Sequence, residues 1–342
     1  MLDHTSSCSR TDTGYFRVTP GSHSISVAMA TLNGAQFIEE QLASLASQTH
    51  RPDEIVISDD GSTDDTLQII RRFSEKAPFE ISLNCNATRI GLHRNFEHAL
   101  SMARGDIVLL SDQDDVWYPN KIQALLATFE KNPSIQVVHH DEDIFDQATG
   151  RMLDGTLAER TRRLGGWDSI LAAGNCSALR REMLSVLLPF PEGFFYDAWI
   201  NWLPEILGTR LVLLEPLQLW RRHGSNESLP AVAEDRASIL KLYRRFGFRD
   251  PRAGWEERRR QVSIIRQRIS ERSHNIDNLI GANRASLALE RVKKEIDRID
   301  VRLSLMRLPR AWRVRRVMQL WNAGFYDNFS GWKSALKDTV IQ

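Results

Sequence analysis

Hydrophobic positions follow two rhythms along the chain. Between Ile25 and His140, short aliphatic runs alternate with segments whose apolar residues recur every three or four positions. This predicts strands over 25–30, 54–58, 80–83, 106–110 and 135–140, and helices over 36–47, 64–74, 92–103 and 119–131. The run at 54–58 reads as a buried strand of parallel type. Ser62, Thr63 and Asp64 offer a cap to the second helix. Pro119 stands near the start of the fourth, where a missing N–H costs little. Strands alternating with helices predict an α/β fold, a mostly parallel sheet wound by helices.

The second rhythm begins near Ala231, where long basic helices take over. Leu289, Val292, Ile296, Ile299, Leu303 and Met306 step by three and four, the spacing of a coiled-coil seam. Val262, Ile265 and Ile269 form a shorter stripe, and SHNIDNLIGAN between them predicts a break in a helical hairpin or bundle. The expected organisation is a loose polar leader over 1–23, an α/β domain over 24–230 and a basic helical region over 231–342. Charge supports that division: 25 basic and 14 acidic residues lie from Asn226 onward, against 20 and 30 before it. The three cysteines match no zinc or redox spacing, and no stretch reaches the ~20 apolar residues of a membrane span. A cytoplasmic chain with reduced thiols is the expectation, with no signal peptide.

In wound parallel sheets, ligands bind beyond the carboxyl ends of the strands. Here those ends carry ATLNG (30–34), SDDGSTDD (58–65), SDQDD (111–115) and HHDED (139–143). Within SDQDD, Asp112, Asp114 and Asp115 crowd together, and two carboxylates ~4 Å apart repel by roughly 4 kcal/mol at an effective dielectric near 20. A cation is therefore expected. Asp112 and Asp114, two residues apart at a turn, supply hard oxygen ligands suited to Mg²⁺ or Mn²⁺ with substrate phosphates completing the shell. A solvated acidic turn is the plainer reading, and the flanking apolar strand with Trp117 weighs against it. SDDGSTDD could accept hydrogen bonds from a pyrimidine imide or a ribose hydroxyl, or merely cap a turn. Alternation sends the rings of His139 and His140 to opposite faces, which leaves Asp141 or Asp143 as a cleft residue.

ISVAMATLNG, EQLASLASQTHRPDEIVISDDGSTDDT and GLHRNFEHALSMARGDIVLLSDQDDVW, in that order, resemble a family 2 glycosyltransferase, and DQDDVW is most similar to its bacterial rhamnosyltransferase-like members. The resemblance covers about residues 24–225. It implies a GT-A fold with a nucleotide-sugar half (24–118) and an acceptor half (119–230), a divalent metal, and inversion at the anomeric carbon. It implies that Thr31 and Asn33 lie beside the nucleotide, that Asp60 with Asp59 meets the base or ribose, and that Arg94 contacts the nucleotide or diphosphate. Asp112 would face ribose and metal, and Asp114 would be the principal ligand. Leu32 departs from the family's frequent Tyr and removes a stacking surface for the base.

GNCSALRREMLSVLLPFPEGFFYDAW is similar to the family's acceptor segment, with Tyr196 where a His is frequent. Asp197 is the candidate general base, because an attacking hydroxyl must lose its proton to a group within hydrogen-bond reach; a helix N-cap is its plainer role. LWRRHGSN resembles the family's RxHxxN ending. Arg221 and Arg222 can neutralise a diphosphate, and His223 is a candidate metal ligand.

The implied activity is metal-dependent, inverting transfer from a dTDP- or UDP-sugar, with rhamnose as the candidate sugar, to a hydroxyl of a cell-surface glycan or lipid-linked acceptor. A sugar nucleotidyltransferase would open on a Gly-rich loop with a basic residue, and ATLNGAQF has neither Lys nor Arg. A non-catalytic nucleotide-sugar-binding scaffold is opposed by intact Asp114 and Asp197. The Arg-rich C-terminal helices lack a nucleic-acid recognition motif. They are candidates for peripheral contact with the inner face of a membrane, or for a homodimer through 286–307.

Overall fold

The structure, a computed structural model, describes residues 23–163, 173–224, 226 and 251–328, with 335, 336, 338 and 339. All but the last residue of the leader expected over 1–23, and the boundary expected near 231, lie outside the described residues.

Strands β1 (Ile25–Thr31), β2 (Glu54–Asp59), β3 (Glu80–Cys85) and β4 (Ile107–Ser111) alternate with helices α1 (Ile38–Ala46), α2 (Thr66–Ser74) and α3 (Leu92–Met102). They pair in parallel in the order β3-β2-β1-β4, with Val27 level with Ile55 and Leu109. Every residue of β1, β2 and β4 is buried, as both faces of the sheet are covered.

Beyond β4 the sheet becomes mixed. After β5 (Val116–Trp117) and α4 (Lys121–Lys131) come β6 (Val137–Asp146), β7 (Arg151–Met152), α5 (Leu157–Arg163), β8 (Ser177–Arg180), α6 (Leu184–Leu187), α7 (Tyr196–Leu207) and β9 (Arg210–Arg222). β8 enters antiparallel between β4 and β6, β9 runs parallel to β6, and β5 closes the edge antiparallel to β9. Two expectations change here. Strand direction has no signature in periodicity, so the mostly parallel sheet is parallel only over its first four strands and the β6–β9 pair. HHDED is no strand-end loop: His139, His140, Asp141 and Glu142 are buried inside β6, paired to β8 and β9. The register slips between His140 and Asp143, where Pro216 of β9 stands opposite Asp141, and a bulge accommodates a proline that a regular ladder would reject.

The C-terminal helices are α8 (Pro251–Glu271), α9 (Ser273–Ile280), α10 (Arg284–Met306) and α11 (Arg310–Asn322). The expected break is itself helical as α9, and Gly281 ends it with φ of 105°. Val262, Ile265 and Ile269 of α8 meet Val292, Ile296, Ile299 and Leu303 of α10 in a core shared with α3 and α7. The seam proposed for a homodimer is thus covered by the chain's own α8. Arg268 of α8 donates to the carbonyls of Val186, Leu187 and Pro189 and lies 5.1 Å over the ring of Trp199, so the helical region buttresses α7. Among the described residues, no helix is long and apolar enough to cross a membrane.

Candidate active site

The carboxyl ends of β1 and β2 form one braced pair of loops. Thr31 Oγ1 donates to Asp59, which also accepts the N–H groups of Gly61 and Ser62 and the Ser62 hydroxyl. Asn33, at φ 49°, accepts from the Thr63 N–H and donates its own N–H to Ser62 Oγ. Gln113, just beyond the neighbouring strand β4, clasps Leu32, accepting its N–H and donating to its carbonyl. A Cβ at Gly34 would collide with the Gln113 amide, so this clasp needs glycine there. Asp60 is buried beneath the loop before α3, accepting from the N–H groups of Ile90 and Gly91 and from Asn86. Asp59 and Asn33 therefore brace the β1 and β2 loops, and Asp60 ties the β2 end to the loop before α3.

The acidic cluster forms as β4 ends. Asp112, Asp114 and Asp115 bring carboxylate oxygens within 4.8 Å of one another. Asp114 Oδ2 lies 2.9 Å from His223 Nε2. The Phe37 ring stacks on His223 at 4.4 Å and carries Arg221 on the same ring at 5.3 Å. Arg221 donates to the Asp114 carbonyl, and Asn226 ties the turn by accepting the His223 N–H and donating to the Arg221 carbonyl. Arg222, the next residue along β9, pairs instead with Asp146. The structure thus joins Arg221 and His223 to Asp114 and places Arg222 apart.

The cluster is short of positive charge. Burial pushes the Asp112 carboxyl well above the usual carboxylate range, and Asp114, Glu142 and Asp197 add to the rise while Lys121 opposes it. Lys121, 1% exposed, donates to the Asn175 carbonyl and to Gln218 Oε1, and its ammonium lies 3.7 Å over the Trp117 ring. Gln218 donates onward to Asp115 and Glu142, Cys176 donates to Glu142, and Asn175 donates to Asp115. One buried ammonium thus partly answers several carboxylates from below. Asp115 Oδ1 remains buried without a hydrogen-bond partner. Hard oxygen donors, a surplus of negative charge and an unsatisfied buried oxygen fit a divalent cation.

Asp197 lies in the first turn of α7 and accepts the Ala198 N–H. Burial raises its pKa, opposed by that hydrogen bond. His93, from the HRN of α3, accepts the Tyr196 N–H on Nδ1 and meets the Tyr196 ring edge-on. An imidazole therefore stands beside Asp197 although the preceding residue is Tyr. Tyr196 is wedged between Phe96, stacked at 4.5 Å, and Gly174, where a Cβ would collide with its ring. Trp199 is fully buried and donates to the Leu187 carbonyl, so it holds the helix in place. Arg94 pairs with Glu97 and reaches the Phe190 carbonyl. The inward residue of HRN is Asn95, which donates to the Thr31 carbonyl and accepts from Asn86. Sequence reading missed His93, Asn95, Lys121, Gln113 and Gln218. The available signal lay in HRN and in the polar residues interrupting apolar runs beside SDQDD.

The family described as Glycosyl transferase family 2 matches residues 26–188. The uncharacterized glycosyltransferase alr2836 of Nostoc sp. is 32% identical over 221 residues, 61% of this chain and 68% of that protein. The dTDP-rhamnosyl transferase RfbG of Shigella flexneri is 39% identical over 99 residues, 28% of this chain and 34% of its own length. Among solved structures, Staphylococcus aureus TarS 1–349 in complex with UDP-GlcNAc superposes with a TM-score of 0.50 at 18% identity, covering 81% of this chain and 90% of that one. The family match spans the β1, β2 and β4 ends that converge on the acidic cluster, and the Nostoc relative is matched over two thirds of its length: the chain belongs to glycosyltransferase family 2 and is a glycosyltransferase of GT-A fold.

Proposed function

We propose that the protein transfers a glycosyl group, with inversion, from a nucleoside diphosphate sugar to an acceptor hydroxyl. The observation that carries this reading is the Asp112–Asp114–Asp115 cluster at the carboxyl end of β4, its carboxylate oxygens within 4.8 Å of one another and His223 2.9 Å from Asp114. Asp112 and Asp114, with His223 beside them, hold Mn²⁺ or Mg²⁺. The bound cation supplies Lewis-acid stabilisation of charge on the departing diphosphate. Arg221 adds positive charge on the same side, while Asp60, Thr31 and Asn33 line the nucleoside end and Asp197 takes the acceptor proton.

RfbG is named for transfer from dTDP-rhamnose and TarS was solved with UDP-GlcNAc, so pyrimidine donors are the first to test. A thermal-shift panel of UDP, dTDP and GDP, each with and without Mn²⁺ or Mg²⁺, checks the reading. A ligand at 100 times its Kd stabilises the native state by about 2.7 kcal/mol. The expected result is a metal-dependent rise with UDP or dTDP; a rise with dTDP alone supports rhamnosyl transfer. Equal curves with every nucleotide would sink the donor reading.

The acceptor is a glycan or lipid-linked hydroxyl at a membrane surface. Supporting this, α11 exposes Val314, Met318 and Trp321 along one side and Trp312 nearby, and its sequence RAWRVRRVMQLWN contains four arginines and no acid. Such a helix lies in an anionic interface, apolar face down. Cosedimentation with vesicles containing anionic phosphatidylglycerol is expected, against no pelleting with phosphatidylcholine alone. Loss of pelleting in Met318→Glu/Trp321→Glu would assign it to α11; vesicle binding indifferent to lipid charge or to these changes would refute the assignment.

A further inference from the structure

Phe195 is the most exposed large apolar side chain among the described residues, at 72%. It stands immediately before α7, two positions ahead of Asp197, and its ring lies 5.8 Å from His93. Its neighbours in the aromatic run have structural employment. Phe194 packs edge-on against Trp199 and Trp202, and Tyr196 is buried against Phe96. Phe195 has no such apolar enclosure. Ile90 and Leu92, the residues leading into the turn of α3 that carries His93, are also exposed, at 40% and 36%. Phe195 thus presents an exposed ring beside His93 and two positions ahead of the proposed base.

From this placement we infer that Phe195 is the floor of an acceptor subsite that takes a pyranose ring by stacking on one of its apolar C–H faces. The inference rests on the glycosyl-transfer reading above. A hydroxyl that gives its proton to Asp197 must come within hydrogen-bond reach, ~2.6–3.2 Å between heavy atoms. The ring bearing that hydroxyl then lies over the start of α7, where the polypeptide offers an aromatic face and, beside it, the polar edge of His93. Pockets that bind small molecules combine an apolar surface with a few placed polar groups, and a sugar presents the complement: C–H faces and a hydroxyl edge. Stacking settles which face is down and therefore which hydroxyl meets Asp197. Phe195 is thus a positioning and specificity residue.

Saturation-transfer NMR with methyl pyranosides of glucose, galactose, mannose, rhamnose and N-acetylglucosamine, on the full chain with UDP or dTDP and Mn²⁺, tests this. At least one pyranoside is expected to receive saturation on its ring C–H protons. Phe195→Ala and Phe195→Leu are expected to weaken its binding about five- to tenfold, Phe195→Trp to retain it, and Asp197→Asn to leave it. The side chain is exposed, so all Phe195 variants are expected to melt with the wild type and to keep its nucleotide shift. No saturation from any pyranoside in a protein that shows that shift would overturn the subsite alone. So would binding that survives in Phe195→Ala, or that Leu supports as well as Trp. A chain that sediments as a dimer and becomes monomeric in Phe195→Ala would give the ring to a second copy and overturn it too. Absence of any nucleotide shift would remove the glycosyl-transfer reading, and the subsite with it.

Discussion

Asp114→Asn is expected to lose the metal-dependent thermal shift with nucleotide and to release nucleoside diphosphate about three orders of magnitude more slowly than the wild type. A Lewis-acid cation contributes several kcal/mol to stabilising charge on a leaving diphosphate, and each ~1.4 kcal/mol is a factor of ten in rate. Asp114 is where that contribution is concentrated: it belongs to the acidic cluster, His223 stands 2.9 Å from its carboxylate, and Arg221 holds its carbonyl. Asparagine keeps the shape and one oxygen but removes the charge. The same change also removes a repulsion from the apo-protein, since carboxylates ~4 Å apart cost roughly 4 kcal/mol at an effective dielectric near 20. The variant without metal is therefore expected to melt no lower than the wild type. Lost metal response with retained stability is a pattern that a mere folding defect cannot give; a metal effect that persists in the variant would remove Asp114 from the ligand set.

The donor edge was legible because it obeys local rules. The runs ISVAMAT, EIVISD and IVLLS are each followed by polar turns, and a parallel sheet brings such turns to one edge. The charge excess of SDQDD was equally visible, since it needs only the sequence and Coulomb's law. What local rules could not give was the partner that answers the charge. Lys121 comes from the start of α4 and meets Gln218 of β9, 97 residues away. Periodicity marks α4 as an amphipathic helix and has no means of saying that a lysine at its first position is buried.

The same limit explains β6 and β9. HHDED reads as a loop by composition, yet it lies within β6, with β9 along one edge and His139 paired to β8 on the other. Its polar side chains are buried with partners from other elements: Asp141 accepts from the Ala158 N–H, and Glu142 accepts from Gln218 and Cys176. A strand whose carboxylates are answered through tertiary contacts looks like a loop until those contacts are known. His93 shows the converse. Its helix was predicted, but its place beside Asp197 depends on α3 and α7 meeting around Tyr196 and Phe96.

Asp197→Asn is expected to lower the rate of glycosyl transfer about a thousandfold, within the range of 10²–10⁴ for a positioned general base, while the nucleotide and metal thermal shift stays at the wild-type value. The pH dependence gives the prediction its sign. Burial raises the Asp197 pKa, and the working form is the carboxylate, so the wild-type rate is expected to climb with pH along a limb displaced above the ordinary carboxylate range. In Asp197→Asn that limb disappears. Stability follows the opposite course. A folded-state pKa above the unfolded one means that the folded chain holds this proton more tightly, so the stabilising contribution is complete at low pH and is lost as pH rises through the folded value. At neutral pH the wild type carries the cost of a partly buried carboxylate that asparagine avoids. The variant is therefore expected to melt at the same temperature or higher while turning over poorly. Rate–pH profiles paired with melting curves decide the matter: an acidic limb that survives in Asp197→Asn would assign the proton transfer to another group on the cleft.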